Sequence, residues 1–562
     1  LDSINKVPQL TSQRGWLTQL RSGISPLQLM ATLVAIGVLT PLATLAWLAT
    51  QSDFSHWDNL VQYVLPTAIK NTAILLLGVA AMVAVIGVGC AWAVTAWQFP
   101  GRKILSWALL LPLAMPTYIV AFAWLDILHP IGPLQGAIRY LLGYDSPRQF
   151  RLPDVRSLGG AIILLGLVLY PYVYLTARAM FISQPAHLIE AARTLGCTPT
   201  GAFFRVVLPM ARPALAVGVS LALLETLNDI GASEFLGIQT LTVTVYTTWV
   251  TRSDLAAAAQ IASLMLLFIF CILTMEFYGR KKQGYSSRNF REVKPVKLTA
   301  GRATLATFLV ALPVLLGFVA PVSYLLVETF KRLGEGNPFS PALLSALQHT
   351  LMLAGGVTLV VMIVSLIVAW NARQMAVGSP LPGYRRSILR LSSLGYAVPG
   401  TILAIGFLSP ALSVDKWLAG LLDIRGLPLM SLGIVLVICC AIRFQAIAIG
   451  AIDSGLARLP KSLEQASRSL GESASGTFRR VHFPLLRPVL VSSALLVFTD
   501  AMKELPTTLL LRPVNFETLA TLLYAEAARG TYEEGAIAAL LIVVAGTLPV
   551  LLLMRNQITR GE

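Results

Sequence analysis

The sequence predicts an all-α integral membrane protein with about 12 transmembrane helices in two parallel six-helix repeats. Three observations predict it. The first is composition. Of 562 residues, 56% are hydrophobic and 12% charged, and mean hydropathy is +0.72, whereas a soluble chain carries roughly a quarter charged residues. So little polar surface cannot cover a soluble enzyme, and a disordered chain needs the opposite balance. The second is patterning. The apolar residues form continuous runs of about 20, the length of a helix that crosses a bilayer, not the two-residue alternation of a membrane barrel. The third is repetition, because landmarks of the first half return 275 residues later.

The elements follow in order. The first run, 27–49, comes after Lys6, Arg14 and Arg21, which hold its N-terminus inside. The runs 68–97 and 104–128 flank a short basic turn at Arg102 and Lys103. Pro112 and Pro116 break the third run, as is tolerated where backbone lines a cavity. Runs at 159–181, 213–236 and 256–278 complete six spans. The polar stretch 279–302 then carries Arg280, Lys281, Lys282, Arg288, Arg291, Lys294, Lys297 and Arg302 and reads as a basic cytoplasmic linker. Six further runs fall at 303–330, 345–370, 387–409, 430–450, 488–511 and 535–554, with Pro399 and Gly400 breaking the ninth. The expected organisation is a first repeat 1–278, the linker, and a second repeat 303–562.

Charge orients the spans. With both termini cytoplasmic, the inside segments hold 28 Lys and Arg and the outside segments 11, as the positive-inside rule requires. The net charge of +16 therefore reads as cytoplasmic loops, not as a nucleic-acid surface. Five cysteines show no CxxC or other metal-ligand spacing, and five scattered histidines form no cluster. His187 and His482 border the repeated loops.

The repeat is clearest between the fourth and fifth spans of each half. Glu190, Ala191, Ala192, Arg193 and Gly196 lead to Pro209 and Pro213. Gln465, Ala466, Ser467, Arg468 and Gly471 lead to Pro484 and Pro488. Small side chains let another protein approach closely, and a glycine suits a helix end with positive φ. These loops, 184–213 and 459–488, resemble the EAA loop of importer-type ABC transporter permeases, in which Glu-Ala-Ala is followed after three residues by Gly and after nine more by Ile-x-Leu-Pro. The first copy fits with Val206 for Ile. The second departs, with Gln465 at the acidic position, Glu464 one place earlier, Ser467 for the second Ala and Phe483 before the proline.

The resemblance implies an importer-type ABC permease fold, multi-pass in a bacterial cytoplasmic (inner) membrane. It also implies two ATPase subunits docked on the loops and a periplasmic solute-binding protein on the outer face. No Gly-Lys dipeptide occurs, so the chain lacks a phosphate loop. It is expected to be no enzyme and to hold no cofactor, with ATP and Mg bound by the partner ATPase. The stretches Leu111 to Asp126, Glu225 to Glu234 and Phe498 to Pro513 are similar to fused two-half permeases of ferric iron importers, which makes Fe(III) the expected solute. Thiamine and aminoethylphosphonate permeases share the architecture and are the alternatives. An ion-gradient-driven secondary transporter explains the spans but not the paired loops.

The same offset places Glu225 on Asp500 and Asp229 on Glu504, each pair spaced i,i+4 and so on one face of a continuous helix. Intramembrane carboxylates mark pathways, and oxygen ligands suit a hard cation. Glu225, Asp229, Asp500 and Glu504 are therefore expected to contact iron transiently. Lys503 either joins that pathway or locks the halves together by pairing.

Overall fold

A computed structural model describes residues 26–51, 60–183, 186–280, 295–334, 340–375 and 382–558. Lys6, Arg14, Arg21, Lys281, Lys282, Arg288, Arg291 and Lys294 of the expected charge pattern lie outside the described residues. The first half builds α1 (Pro26–Ala49), α2 (Leu65–Ala96), α3 (Arg102–Ala108), α4 (Thr117–Ile127) and α5 (Leu158–Ile182). It continues with α6 (Ala186–Thr194), α7 (Arg212–Asn228), α8 (Gly231–Phe235), α9 (Leu241–Val250) and α10 (Leu255–Arg280). The second half repeats this order. It runs through α11 (Ala300–Gly334), α12 (Pro341–Met375), α13 (Pro382–Ser392), α14 (Gly400–Leu422) and α15 (Ile434–Ala457). It closes with α16 (Lys461–Ser469), α17 (Phe483–Met502), α18 (Pro506–Leu511), α19 (Leu519–Arg529) and α20 (Tyr532–Ile558).

Among the described residues, ten helices are long and apolar enough to cross a membrane, or up to twelve if each bent pair is one span. The bends come from proline. Pro112 sits in a 3-10 turn and Pro116 caps α4, because proline lacks an N–H and clashes with the preceding turn. The third span is thereby bent by 94°. Pro399 caps α14 in the same way after a matching 3-10 turn at Leu394–Ala397. Among the described residues the one strand pairing is parallel, Trp97 and Gln98 with Val296 and Lys297, and it ties the end of the linker to the end of α2.

Two compact units form. The larger comprises Thr44–Leu353, Ala397–Leu436 and Met502–Glu562. Its core centres on α2 against α5, where Gly87 lets the backbones meet: a Cβ there would lie 2.7 Å from the Val173 Cβ and 3.0 Å from the Tyr170 carbonyl. Close approach through small residues is how helices associate in lipid, where hydrophobic burial drives nothing. Tyr170, Tyr174 and Phe122 are the largest fully buried side chains there, and the Tyr174 hydroxyl donates to the Ser106 carbonyl at 2.7 Å. Among the described residues, the smaller unit comprises 26–43, 354–396 and 437–501. Ala31, Ala35, Val368, Ile388 and Ile449 form its apolar cluster. Gln445 donates to the Ser392 carbonyl at 2.7 Å, satisfying a helix end that lipid would leave bare.

The repeat is three-dimensional as well as sequential. In the first half, Thr72 Oγ1 accepts the Leu241 N–H at 2.9 Å. In the second, Thr350 Oγ1 accepts the Leu519 N–H at 2.8 Å. Both bonds satisfy an orphan donor at a helix start.

Candidate functional site

The two repeated loops fold alike. Helices α6 and α16 each end in a Schellman turn. Cys197 N–H donates to the Ala192 carbonyl at 3.0 Å and Glu472 N–H to the Ser467 carbonyl at 3.1 Å. The turn needs a left-handed residue, and Gly196 (φ +87°) and Gly471 (φ +85°) supply it. Next, Thr198 and Ser473 accept the N–H groups of Gly201 and Gly476, both at 3.1 Å. A π-turn follows in each copy, Phe203–Val207 and Phe478–His482. It is pinned to the long second helix of its own half by an aromatic contact, Trp92 on Phe203 and Trp370 on Phe478, both at 4.9 Å.

The same face is presented twice. Glu190, Ala191, Arg193 and Gly196 are exposed, and so are Gln465, Ala466, Arg468 and Gly471, while Ala192 and Ser467 turn inward. Leu195 and Leu470, which sequence reasoning missed, are 86% and 85% exposed. A leucine held bare before a rigid glycine turn, in both copies, has the form of a docking knob.

Glu464 is different. It is 4% exposed and faces Arg373 at 3.6 Å, while Arg373 also donates to the Leu459 carbonyl at 3.1 Å. The acidic residue beside Gln465 therefore braces the loop from within and does not stand in for Glu190 on the outer face. The reason is helical geometry: one residue is 100° of rotation, enough to carry a side chain from surface to core. His482 is fully buried and packs on Trp370 at 4.9 Å. The prolines also diverge. Pro209 and Pro213 flank a 70° bend before α7, whereas Pro488 lies inside the unbroken α17.

Beyond these loops the fifth span of each half is interrupted, and the i,i+4 face does not form. Helix α7 stops at Asn228 and α17 at Met502, so Asp229 and Glu504 sit in the breaks. Both are buried, at 6% and 4% exposed, and both cap the next short helix. Asp229 accepts from the Ser233 N–H at 2.9 Å and the Thr117 hydroxyl at 2.5 Å. Glu504 accepts from the Thr507 N–H at 3.0 Å and hydroxyl at 2.7 Å. The halves are also stitched here. Asn228 Oδ1 accepts the Gly400 N–H at 2.9 Å, capping α14, and the Tyr118 hydroxyl donates to the Lys503 carbonyl at 3.3 Å. Glu225, Asp500 and Lys503 are half-buried. Among the described residues no three His, Cys, Asp or Glu side chains gather as metal ligands do.

A carboxylate that the spacing argument missed lies just past the first break. Glu234, half-buried, accepts from the Tyr524 hydroxyl. The Tyr524 ring stacks on Phe235 at 5.6 Å and meets Tyr246 edge-on at 6.4 Å. Burial, and next the adjoining Glu234, hold the Tyr524 phenol well above its usual range. Tyr246 and Tyr524 are repeat equivalents, each six residues past a capping threonine, Thr240 and Thr518. Their offset is 278, not 275, so an insertion between the break and the cap hides the match from a fixed-offset reading.

Comparison with known proteins covers most of the chain. Residues 83–278 and 379–560 each match the family described as binding-protein-dependent transport system inner membrane component. The chain is similar to the Fe(3+)-transport system permease protein FbpB 2 of Haemophilus influenzae, 24% identical over 87% of this chain and 89% of that one. It is also similar to the sulfate transport system permease protein CysT of Salmonella typhimurium, 28% identical over 45% of this chain and 92% of that one. A third relative is the putative 2-aminoethylphosphonate transport system permease protein PhnU of Salmonella paratyphi A, 28% identical over 34% of this chain and 66% of that one.

Proposed function

We propose, from the premise that this chain belongs to the binding-protein-dependent transport system inner membrane component family, that it is the permease subunit of an ATP-driven importer of ferric iron. Repeats 1–278 and 303–562, joined by the basic linker 279–302, each offer one loop to one ATPase subunit. Those loops and both termini face the cytoplasm, where the positive charge lies. A periplasmic binding protein delivers the solute to the other face. ATP and Mg belong to the ATPase, since this chain has no phosphate loop.

The observation that carries the solute class is the chemistry of the helix breaks. A bare helix N-terminus is an anion site. The N-termini of α8, α14 and α18 are filled by Asp229, Asn228 and Glu504. Two of these three caps are carboxylates, and each already takes up N–H donors that sulfate or a phosphonate would need at these ends. A relative whose length matches on both sides, at 87% of this chain and 89% of its own, is named for ferric iron, which supports the same choice.

In operation, ATP-driven closure of the two ATPase subunits presses on the exposed faces around Leu195 and Leu470. Helix α7 carries that motion about 25 Å from Arg212 to the break at Asn228. Because Asn228 caps α14 of the other half, displacing one break displaces the other half's broken span. Interrupted helices tolerate such motion because their ends are satisfied by side chains and not by a continuous ladder.

The test is uptake of labelled Fe(III) by vesicles holding this chain, its ATPase and its binding protein. Iron is expected to enter only with ATP and to be unaffected by excess sulfate, thiamine or aminoethylphosphonate. ATP-dependent entry of one of those solutes in place of iron would refute the assignment.

A further inference from the structure

Glu234, Tyr246 and Tyr524 are absorbed neither by the docking loops nor by the helix caps. They come from two different repeats, yet they meet in space. Tyr524 donates to Glu234, and the Tyr246 ring meets the Tyr524 ring edge-on at 6.4 Å. Glu234 and Tyr246 remain partly exposed, so the cluster is reachable. The nearby guanidinium of Arg512 is ion-paired with Glu517, which reduces its repulsion of an incoming cation. Phe235 stacks on one face of Tyr524 and fixes the direction of the phenol.

A carboxylate beside two phenols is a set of hard oxygen donors. Such a set favours a hard, highly charged cation over soft or large ones, and tyrosine oxygen is an established ligand of ferric iron. We propose that Glu234, Tyr246 and Tyr524 form a station that coordinates Fe(III) transiently as it enters the permease, an inference that rests on the ferric reading above. Coordination exchanges ligands and transfers no electrons. Each phenol gives its proton to water as its oxygen joins the metal, the iron stays Fe(III), and release returns the protons. The charge of the metal drives that ionisation, as bound cations invert local acidity. Three side chains leave the rest of the coordination sphere to water or a carried chelator, so the ion is held without being trapped.

The experiment has two arms. In the first, purified permease in detergent is titrated with Fe(III) nitrilotriacetate and followed by visible absorption. Phenolate bound to Fe(III) has a charge-transfer band that carboxylate or surface-bound iron lacks. The native chain is expected to develop this band. Tyr246→Phe and Tyr524→Phe should each weaken it, and together abolish it. Glu234→Gln should keep a band but raise the iron concentration needed by about tenfold, the loss of one charge-assisted partner. No band in well-folded native protein, or an unchanged band in the double Phe variant, overturns the station. The second arm measures vesicle uptake. If native permease imports iron and the double Phe variant imports it equally well, the station is overturned while the ferric reading stands. If native permease imports no iron under ATP, both fall. Uptake lost in the double variant with ATPase docking retained supports both.

Discussion

At the residue scale, two glycines and one glutamate carry the loops. Gly196 and Gly471 have open space where a Cβ would go, so the cost of substitution is conformational alone, about 1–2 kcal/mol for a left-handed L-residue. Gly196→Ala and Gly471→Ala are therefore expected to leave the protein folded but to loosen the turn. Iron uptake should fall several-fold while ATP hydrolysis by the complex persists, and comparing the two rates checks it. Glu464 behaves oppositely. Glu464→Ala leaves Arg373 buried without its partner, and breaking a buried pair costs about 3–5 kcal/mol. Thermal unfolding in detergent should shift down clearly for Glu464→Ala and not at all for the exposed Gln465→Ala. Equal shifts would return Glu464 to the surface and undo its bracing role.

At the element scale, the loops α6 and α16 share a scaffold but differ in chemistry. Each has a nine-residue helix, a glycine turn, a capped second helix and a π-turn pinned by tryptophan. What differs is the charge at the exposed position, Glu190 against Gln465. Glu190→Ala is accordingly expected to lower uptake more than Gln465→Ala. Leu195→Asp or Leu470→Asp places a charge where an apolar side chain is 86% or 85% exposed. Either is expected to release the ATPase during co-purification without changing the unfolding temperature. Retention of the ATPase by the double Asp variant would remove these leucines from the docking face. The same scale explains the broken spans. Proline interrupts the third and ninth spans at 112, 116 and 399, and at Gly400 a side chain from elsewhere, Asn228, satisfies the freed N–H.

At the scale of the whole molecule, the larger compact unit takes its segments from both halves, including α7, α8, α14, α18 and α19. Both repeats and both loops lie on one polypeptide. The functional complex is therefore expected to hold a single copy of this chain with two ATPase subunits. Native mass measurement of the detergent-purified complex checks this, and two copies of the chain per ATPase pair would refute it.

Composition alone determined the membrane class, because 12% charged residues cannot cover a soluble fold. The 275-residue offset determined the repeat, the two loops and the glycine turns, since helix caps are local and their residues adjoin in sequence. Proline placed the breaks of the third and ninth spans for the same reason. Tertiary structure alone decided which side of each helix faces in. It turned Glu464 to Arg373 and exposed Leu195 and Leu470. It also ended α7 and α17 short, making Asp229 and Glu504 caps where continuous helices had been expected to align them with Glu225 and Asp500. It brought Glu234 to Tyr524 across 290 residues. Such contacts depend on where broken helices are redirected in space, and no short-range spacing encodes that direction.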